Sequence, residues 1–375
     1  MRLDPQRRAL LAAAAALALP GTGSAAGEEI AIGQIGPFTG TPVPGAAEIR
    51  QGIEAALGQA NAAGGVAGRR LALFTLDDGF QPEVFVRRFG EAMARRPVAL
   101  LSPMGTSTVQ RMLDDGLLDQ HDVLVLNAVP GAESLRSPGH PKLFHVRASD
   151  HEQVEHIVHH AGTLGVTQMA ALCQDLSIGT TGLAVAQKAA AGLGLRFSAT
   201  MTTAEGSALA QDAGRVQAGR PQSVLVLGSP RFAAEGIAAL RKAGYERLIY
   251  ALSYVTADLV GKLAGSGARG VALAQVFPNP NRNLLALQQQ FHAAMKRLGV
   301  EPHYTAFQLE GYVTACVLVE ALRRAKALTP EGLAQALRAM GGYSLGGFGV
   351  DFSQGNVGSH FVDIAIINSE GRLVY

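Results

Sequence analysis

Apolar residues recur along this chain in short, nearly continuous runs separated by helix-length stretches. The first run, Ile30-Ala31-Ile32-Gly33-Gln34-Ile35, leads into the turn residues Gly36, Pro37, Phe38, Thr39 and Gly40. A helix is predicted at 49–63, stopped by Gly64, Gly65 and Gly68, and a second strand at 70–76 ends on Asp77-Asp78. The alternation continues with strands predicted at 98–102, 123–127, 142–147, 168–173, 195–200 and 223–227, and helices at 108–118, 150–164, 181–192 and 231–243. Strands that are apolar throughout and are joined by helices belong to parallel sheets covered on both faces. Beyond 275 the texture changes. A connection rich in proline and asparagine (277–281) precedes helices at 284–298 and 304–325. Thr329-Pro330-Glu331 starts another helix, with threonine at the cap and proline in the first turn, and the tail at 348–352 and 361–368 is β-rich.

Composition narrows this picture. No tryptophan and 45 glycines suit helices packed closely on sheets. Residues 1–26 read as an export signal: Arg2, Arg7 and Arg8, then the apolar run 9–19, then small residues at 23–26. That run is shorter than the about 20 residues needed to span a bilayer. Arg7-Arg8 fits a twin-arginine signal and an ordinary secretory one equally well. Removing the segment takes three arginines and Asp4 from 32 basic and 30 acidic residues, leaving 29 of each. A neutral chain without a basic stripe is a poor nucleic-acid binder. The two cysteines, Cys173 and Cys316, sit in apolar runs and read as buried free thiols, although export permits a disulfide. The roughly 350 remaining residues exceed a single core, so two domains are expected.

The order of strand 30–35, loop 36–40, helix 49–63 with its 61–68 stop, and strand 70–76 resembles the first βαβ unit of the type I periplasmic solute-binding proteins of ABC transporters, the branched-chain amino-acid-binding (Leu/Ile/Val-binding-like) family. The resemblance extends over nearly all of the chain after the signal, through the helix bearing Tyr312 and the glycine-rich strands that follow. It implies an α/β fold of two Rossmann-like lobes with mostly parallel sheets joined by a three-strand hinge. Crossovers are expected near Arg147, near 275–277 and near Asn356. Lobe one would be 28–147 and 277–356, and lobe two 148–276 and 357–375. The implied activity is capture of a small carboxylated organic ligand, an amino acid or a relative, by hinge closure in the periplasm. The implied partners are the ligand and an inner-membrane ABC permease, or a membrane receptor, with the protein itself a monomer without a cofactor.

Ligands of open parallel sheets bind beyond the carboxyl ends of the strands. This nominates the loops 36–45, 77–82, 102–108, 127–133, 174–180, 228–231 and 252–256. Loop 102–108 offers hydroxyls and free amides just before a helix, a geometry suited to a carboxylate. By resemblance Thr106 and Ser107, with Gly105 beside them, grip that group; the plainer role of such hydroxyls is helix capping. In the next loop Asn127, Ala128 and Val129 are candidates, but proline stands where family members that bind amino acids carry threonine. The loop that should supply an acid for a ligand ammonium, 251–256, has none, leaving Ser253 and Tyr254. An unpaired buried ammonium is costly, so aromatic or aliphatic acids without an amino group are the alternative ligands. Arg231 could meet a second anionic group or be a solvated first-turn residue. Ile178 replaces a family tyrosine, and Phe38 and Phe80 could line an apolar pocket or belong to the core. Asp77-Asp78 is expected to anchor local loops.

Enzyme readings have less support. His151, His156, His159 and His160 crowd one helix, but their spacing misses the His-Glu-x-x-His zinc pattern by one residue. No Walker-type Gly-x-x-x-x-Gly-Lys-Ser/Thr is present, and no Gly-x-Gly-x-x-Gly follows a strand.

Overall fold

The computed structural model describes residues 29–39 and 45–375; residues 1–28, with the segment expected to be an export signal, and residues 40–44 of the first loop lie outside the described residues. Lobe one is built on five parallel strands, β1 (Ile30–Gly36), β2 (Leu71–Asp77), β3 (Ala99–Leu101), β4 (Leu124–Leu126) and β5 (Leu143–Phe144), ordered β2-β1-β3-β4-β5. Between them run α1 (Ala46–Ala62), α2 (Pro82–Met93), α3 (Thr106–Asp114) and the short α4 (Leu117–Gln120).

The chain then enters a second lobe through α5 (Asp150–Thr163), β6 (Gln168–Gln174), α6 (Ser177–Gly192), β7 (Arg196–Thr202), α7 (Leu209–Ala218), β8 (Ser223–Leu227), α8 (Pro230–Lys242), β9 (Leu248–Ala251), α9 (Ala257–Ala264) and β10 (Val271–Gln275). It returns to lobe one for α10 (Ala286–Arg297), α11 (Ala306–Arg324), α12 (Pro330–Arg338) and the hairpin of β11 (Tyr343–Leu345) and β12 (Phe348–Val350). It crosses again to add β13 (Asp363–Ile367) and β14 (Leu373–Val374) to the second sheet, ordered β14-β13-β10-β9-β8-β6-β7. The pairs between β7 and β10 are parallel and those of β13 antiparallel.

The central strands of each sheet are buried on both faces, as their unbroken apolar runs require. In β8, Val224 and Val226 join the core under α7, α8 and α9, whereas Leu225 and Leu227 join the one under α5 and α6. In β4, Leu124 and Leu126 face α1, α10, α11 and α12, while Val125 faces α2 and α3. Helices α1 and α11 cross so closely that a Cβ on Gly52 would fall 1.9 Å from the Gln308 carbonyl oxygen, and one on Gly311 would fall 2.0 Å from that of Ile49. Two of the three crossings run side by side: the His145 N–H donates to the Asn356 carbonyl (2.8 Å) and the Gly358 N–H to the His145 carbonyl (2.8 Å).

Several elements differ from the sequence reading. The helix expected at 108–118 begins at Thr106 and is split into α3 and α4 by Gly116 in the left-handed region. The strand expected at 142–147 keeps only Leu143–Phe144, because Val146 turns its N–H to the Asn127 Oδ1 (3.0 Å) as the chain leaves for the second lobe. Helix α6 starts at Ser177, four residues before the expected 181. Cys173, on β6, and Cys316, on α11, are both free thiols. Among the described residues no helix is long and apolar enough to cross a membrane.

Candidate functional site

The strand ends of lobe one turn on a few side chains. Asp77 closes β2 and gathers the first loop: its Oδ1 accepts from the Phe38 N–H (2.8 Å), the Thr39 N–H (3.1 Å) and the Gly79 N–H (3.2 Å), and its Oδ2 binds the Thr39 hydroxyl. These donors outweigh burial and lower the Asp77 carboxyl below the usual carboxylate range. Phe38 lies partly buried under the Arg50 guanidinium, 5.5 Å from its ring centre. Phe80 is held at φ 62 by its N–H bond to Asp78 and is 45% exposed. Its ring lies against Gly105, where a Cβ would come within 3.1 Å of it. Gly105, at φ 89, begins α3 without a side-chain cap, and Thr106 and Ser107 are exposed in the first turn.

The loops nominated at 127–131 and 253–254 meet each other. Arg147, wholly buried at the first crossing, donates from Nη1 to both Glu310 oxygens (3.2 Å each) and from Nη2 to the Ser253 hydroxyl (2.6 Å). Asn127 Nδ2 donates to the same Glu310 carboxylate (2.9 Å). Burial pushes the Glu310 carboxyl up, against Arg147 and the Asn127 amide. We read the pair as ionised, since three donor contacts converge on one carboxylate. Tyr254 places its ring 4.7 Å from the Arg147 guanidinium, donates its hydroxyl to Asp150 Oδ1 (2.6 Å) and accepts from the Gly131 N–H (2.6 Å). Burial raises both the Asp150 carboxyl and the Tyr254 phenol. Gln153 Oε1 accepts from the Ser253 N–H (3.0 Å), and Arg136 Nη1 donates to the Arg147 carbonyl (3.0 Å). Asn127, Ser253 and Tyr254 are therefore each tied to protein partners.

Other nominated residues are placed apart. Ala128 and Val129 are core residues. Ile178 packs on the core under α5 and α6. Arg231 turns along its own helix to Glu235 Oε1 (2.7 Å) and points into solvent. Of the crowded histidines, His160 binds the Tyr250 hydroxyl (2.9 Å) and His156 and His159 are exposed. No group of three or more potential metal ligands occurs among the described residues.

A cavity of about 510 Å³ opens between the lobes. From lobe one it is lined by Glu48 in the first turn of α1 and by His303, Tyr304 and Phe307 around the start of α11. From the second lobe come Ser253, Val255, Asp258 and Leu259 around the start of α9, with Gln275 and Tyr375. The nominated loop 252–256 reaches it through Ser253, Val255 and Thr256. Sequence reading missed Arg147, Asp150 and Glu310 as a network, and Glu48 and Asp258 as cavity groups. Acids in a first helical turn look like ordinary helix-start chemistry, and partners more than a hundred residues apart leave no local signal.

Comparison with known proteins places the chain. The family model described as periplasmic binding protein matches residues 29–372. An extracellular ligand-binding receptor from Verminephrobacter eiseniae ef01-2 is 48% identical, with a TM-score of 0.88 over 93% of this chain and 100% of that one. A substrate-binding periplasmic protein from Ralstonia solanacearum is 26% identical, with a TM-score of 0.81 over 92% and 99%. An ABC transporter substrate-binding protein from Desulfitobacterium hafniense in complex with Leu shares the fold at 23% identity, with a TM-score of 0.76 over 93% and 100%. None of the curated proteins compared matches. A family match over nearly the whole described chain, on two lobes with mostly parallel sheets, makes this chain a member of the periplasmic binding protein family.

Proposed function

We propose that this protein is the exported solute-binding component of an ABC importer and captures a small organic ligand between its lobes by hinge closure. The observation that carries the reading is the cavity between the lobes, lined from both sides, with Gln275 of one crossing in its wall. In this reading the lobes part at 147/148, 276/277 and 356/357, and the ligand is handed to an inner-membrane permease. Neither the family nor its relatives named above point to catalysis, and binding suffices as the activity.

A carboxylate on the ligand is supported by α3. Its first-turn amides have no side-chain cap, and the Thr106 and Ser107 hydroxyls are exposed beside them. Such a helix start favours an anion through its N–H groups and dipole. Capping therefore does not account for these hydroxyls. The usual pose of an α-amino acid has less support, because loop 251–256 carries no acid and its Ser253 and Tyr254 are spent on Arg147 and Asp150.

The test is a thermal-shift panel on ligand-stripped mature protein, followed by scattering measurements of compaction. A ligand at a hundred times its Kd adds about 2.7 kcal/mol. The expected result is a stabilising hit that also reduces the radius of gyration. In the variant Thr106→Ala/Ser107→Ala that hit should weaken about tenfold, the loss of one or two charge-assisted hydrogen bonds. Unchanged affinity would remove α3 from the site.

A further inference from the structure

Two loops that end strands on opposite lobes touch directly. Loop 127–131 follows β4 in lobe one, and loop 252–256 follows β9 in the second lobe. With the lobes parting at 147/148, three hydrogen bonds cross between them. The Gly131 N–H donates to the Tyr254 hydroxyl (2.6 Å), the Asp150 N–H donates to the Gly131 carbonyl (2.9 Å), and Arg147 Nη2 donates to the Ser253 hydroxyl (2.6 Å). The fit is close. A Cβ on Gly131 would fall 2.7 Å from the Tyr254 hydroxyl oxygen and 2.8 Å from the Asp150 nitrogen.

Each side is also complete without the other. On lobe one, the Arg147 guanidinium keeps both Glu310 oxygens, and Glu310 keeps the Asn127 amide. On the second lobe, Asp150 keeps the Tyr254 hydroxyl, and the Ser253 N–H keeps Gln153 Oε1. A permanent joint would set opposite charges on opposite lobes, and pulling it apart would strand a buried ion at high cost. Here every charge has a partner on its own side. The bonds that cross end on hydroxyl or carbonyl oxygens, whose place water takes at small net cost. Ser253 and Tyr254 are half-buried, and Ser253 stands in the wall of the interlobe cavity, so the contact borders space that a solute would enter.

We propose that this contact is a reversible latch that holds the lobes together beside their crossings before any solute binds. The inference rests on the reading of the protein as a solute binder that works by hinge closure. It adds that part of the closing free energy is built into the chain, in Tyr254, Gly131, Arg147 and Ser253.

The sheet order shows where to watch the latch. Strands β5 and β10 lead into crossings, whereas β2 and β7 lie at the far edges of their sheets. Glu83, in the first turn of α2 after β2, and Glu205, after β7, are both exposed at that far side. Spin labels on a Glu83→Cys/Glu205→Cys protein therefore report the width of the cleft. The native thiols Cys173 and Cys316 are pushed up to about 12 by burial and compete poorly for the label.

In solute-stripped protein the wild-type latch should give a predominantly short distance. Tyr254→Phe removes the hydroxyl but keeps the ring on Arg147, and Gly131→Ala wedges the loops apart. Each should raise the ratio of open to closed molecules about tenfold, equivalent to about 1.4 kcal/mol, and shift the distances upward in protein that still melts cooperatively. Tyr254→Phe leaves the packing in place and carries the test if Gly131→Ala does not fold. Unchanged distances in Tyr254→Phe, or a wild type already wholly open without solute, would overturn the latch. Neither result touches the solute-binding reading, which the thermal-shift panel tests separately.

Discussion

At Arg147 a single guanidinium holds Glu310 on α11 and Ser253 beside β9, so its replacement removes contacts on both lobes at once. Breaking a buried pair from one side leaves the other charge stranded, at a cost of about 3–5 kcal/mol. Arg147→Met should lose stability on that scale in a denaturant melt, and adding Glu310→Leu should recover much of it. Asp78 offers a pH test. It is fully buried, with Oδ2 unpartnered, and burial pushes its carboxyl up to about 6, opposed by the Phe80 N–H and helped by Asp77. The neutral form is the one favoured by the fold, so this contribution is complete below the ordinary 3.8 and is lost as pH rises through about 6. Between pH 4 and 6 the wild type should lose on the order of 2–3 kcal/mol that Asp78→Asn keeps, read from melts across that range.

Among the elements, the contact of α1 with α11 is the most constrained. Gly52 and Gly311 let each helix backbone touch the other, and a methyl at either position would overlap a carbonyl oxygen. Gly52→Ala or Gly311→Ala must push the helices apart, and overpacking of this kind costs about 1–3 kcal/mol or more; a fall in melting temperature would register it. Both glycines sit in stretches that the apolar pattern marks as helix, but nothing in that pattern says which partner they meet. The same division holds elsewhere. The run 223–227 is legible as a buried strand because five apolar or small residues succeed one another, and β8 has those bounds. Arg147, Asp150 and Glu310 read separately as a crossing, a helix start and a helix interior, since their partnership exists only after the chain has folded back. The α3 hydroxyls could be nominated because they lie within one loop, whereas the cavity walls come from five separated stretches.

For the whole molecule, the two thiols lie on different lobes and are both pushed up to about 12 by burial. Ellman's reagent should react with neither in the native protein and with both after denaturation without reductant; one mole of disulfide instead would contradict the free thiols. The strand order carries a consequence for how the protein is made. The first sheet is complete by Phe144, but three of the four helices covering one of its faces arrive only at 286–338, and β13 and β14 join the other sheet from 363–374. Neither half can therefore complete its core until nearly all of the polypeptide has emerged. Contacts so distant in sequence slow folding. For any chain threaded unfolded across a membrane, such late closure lengthens the translocation-competent interval.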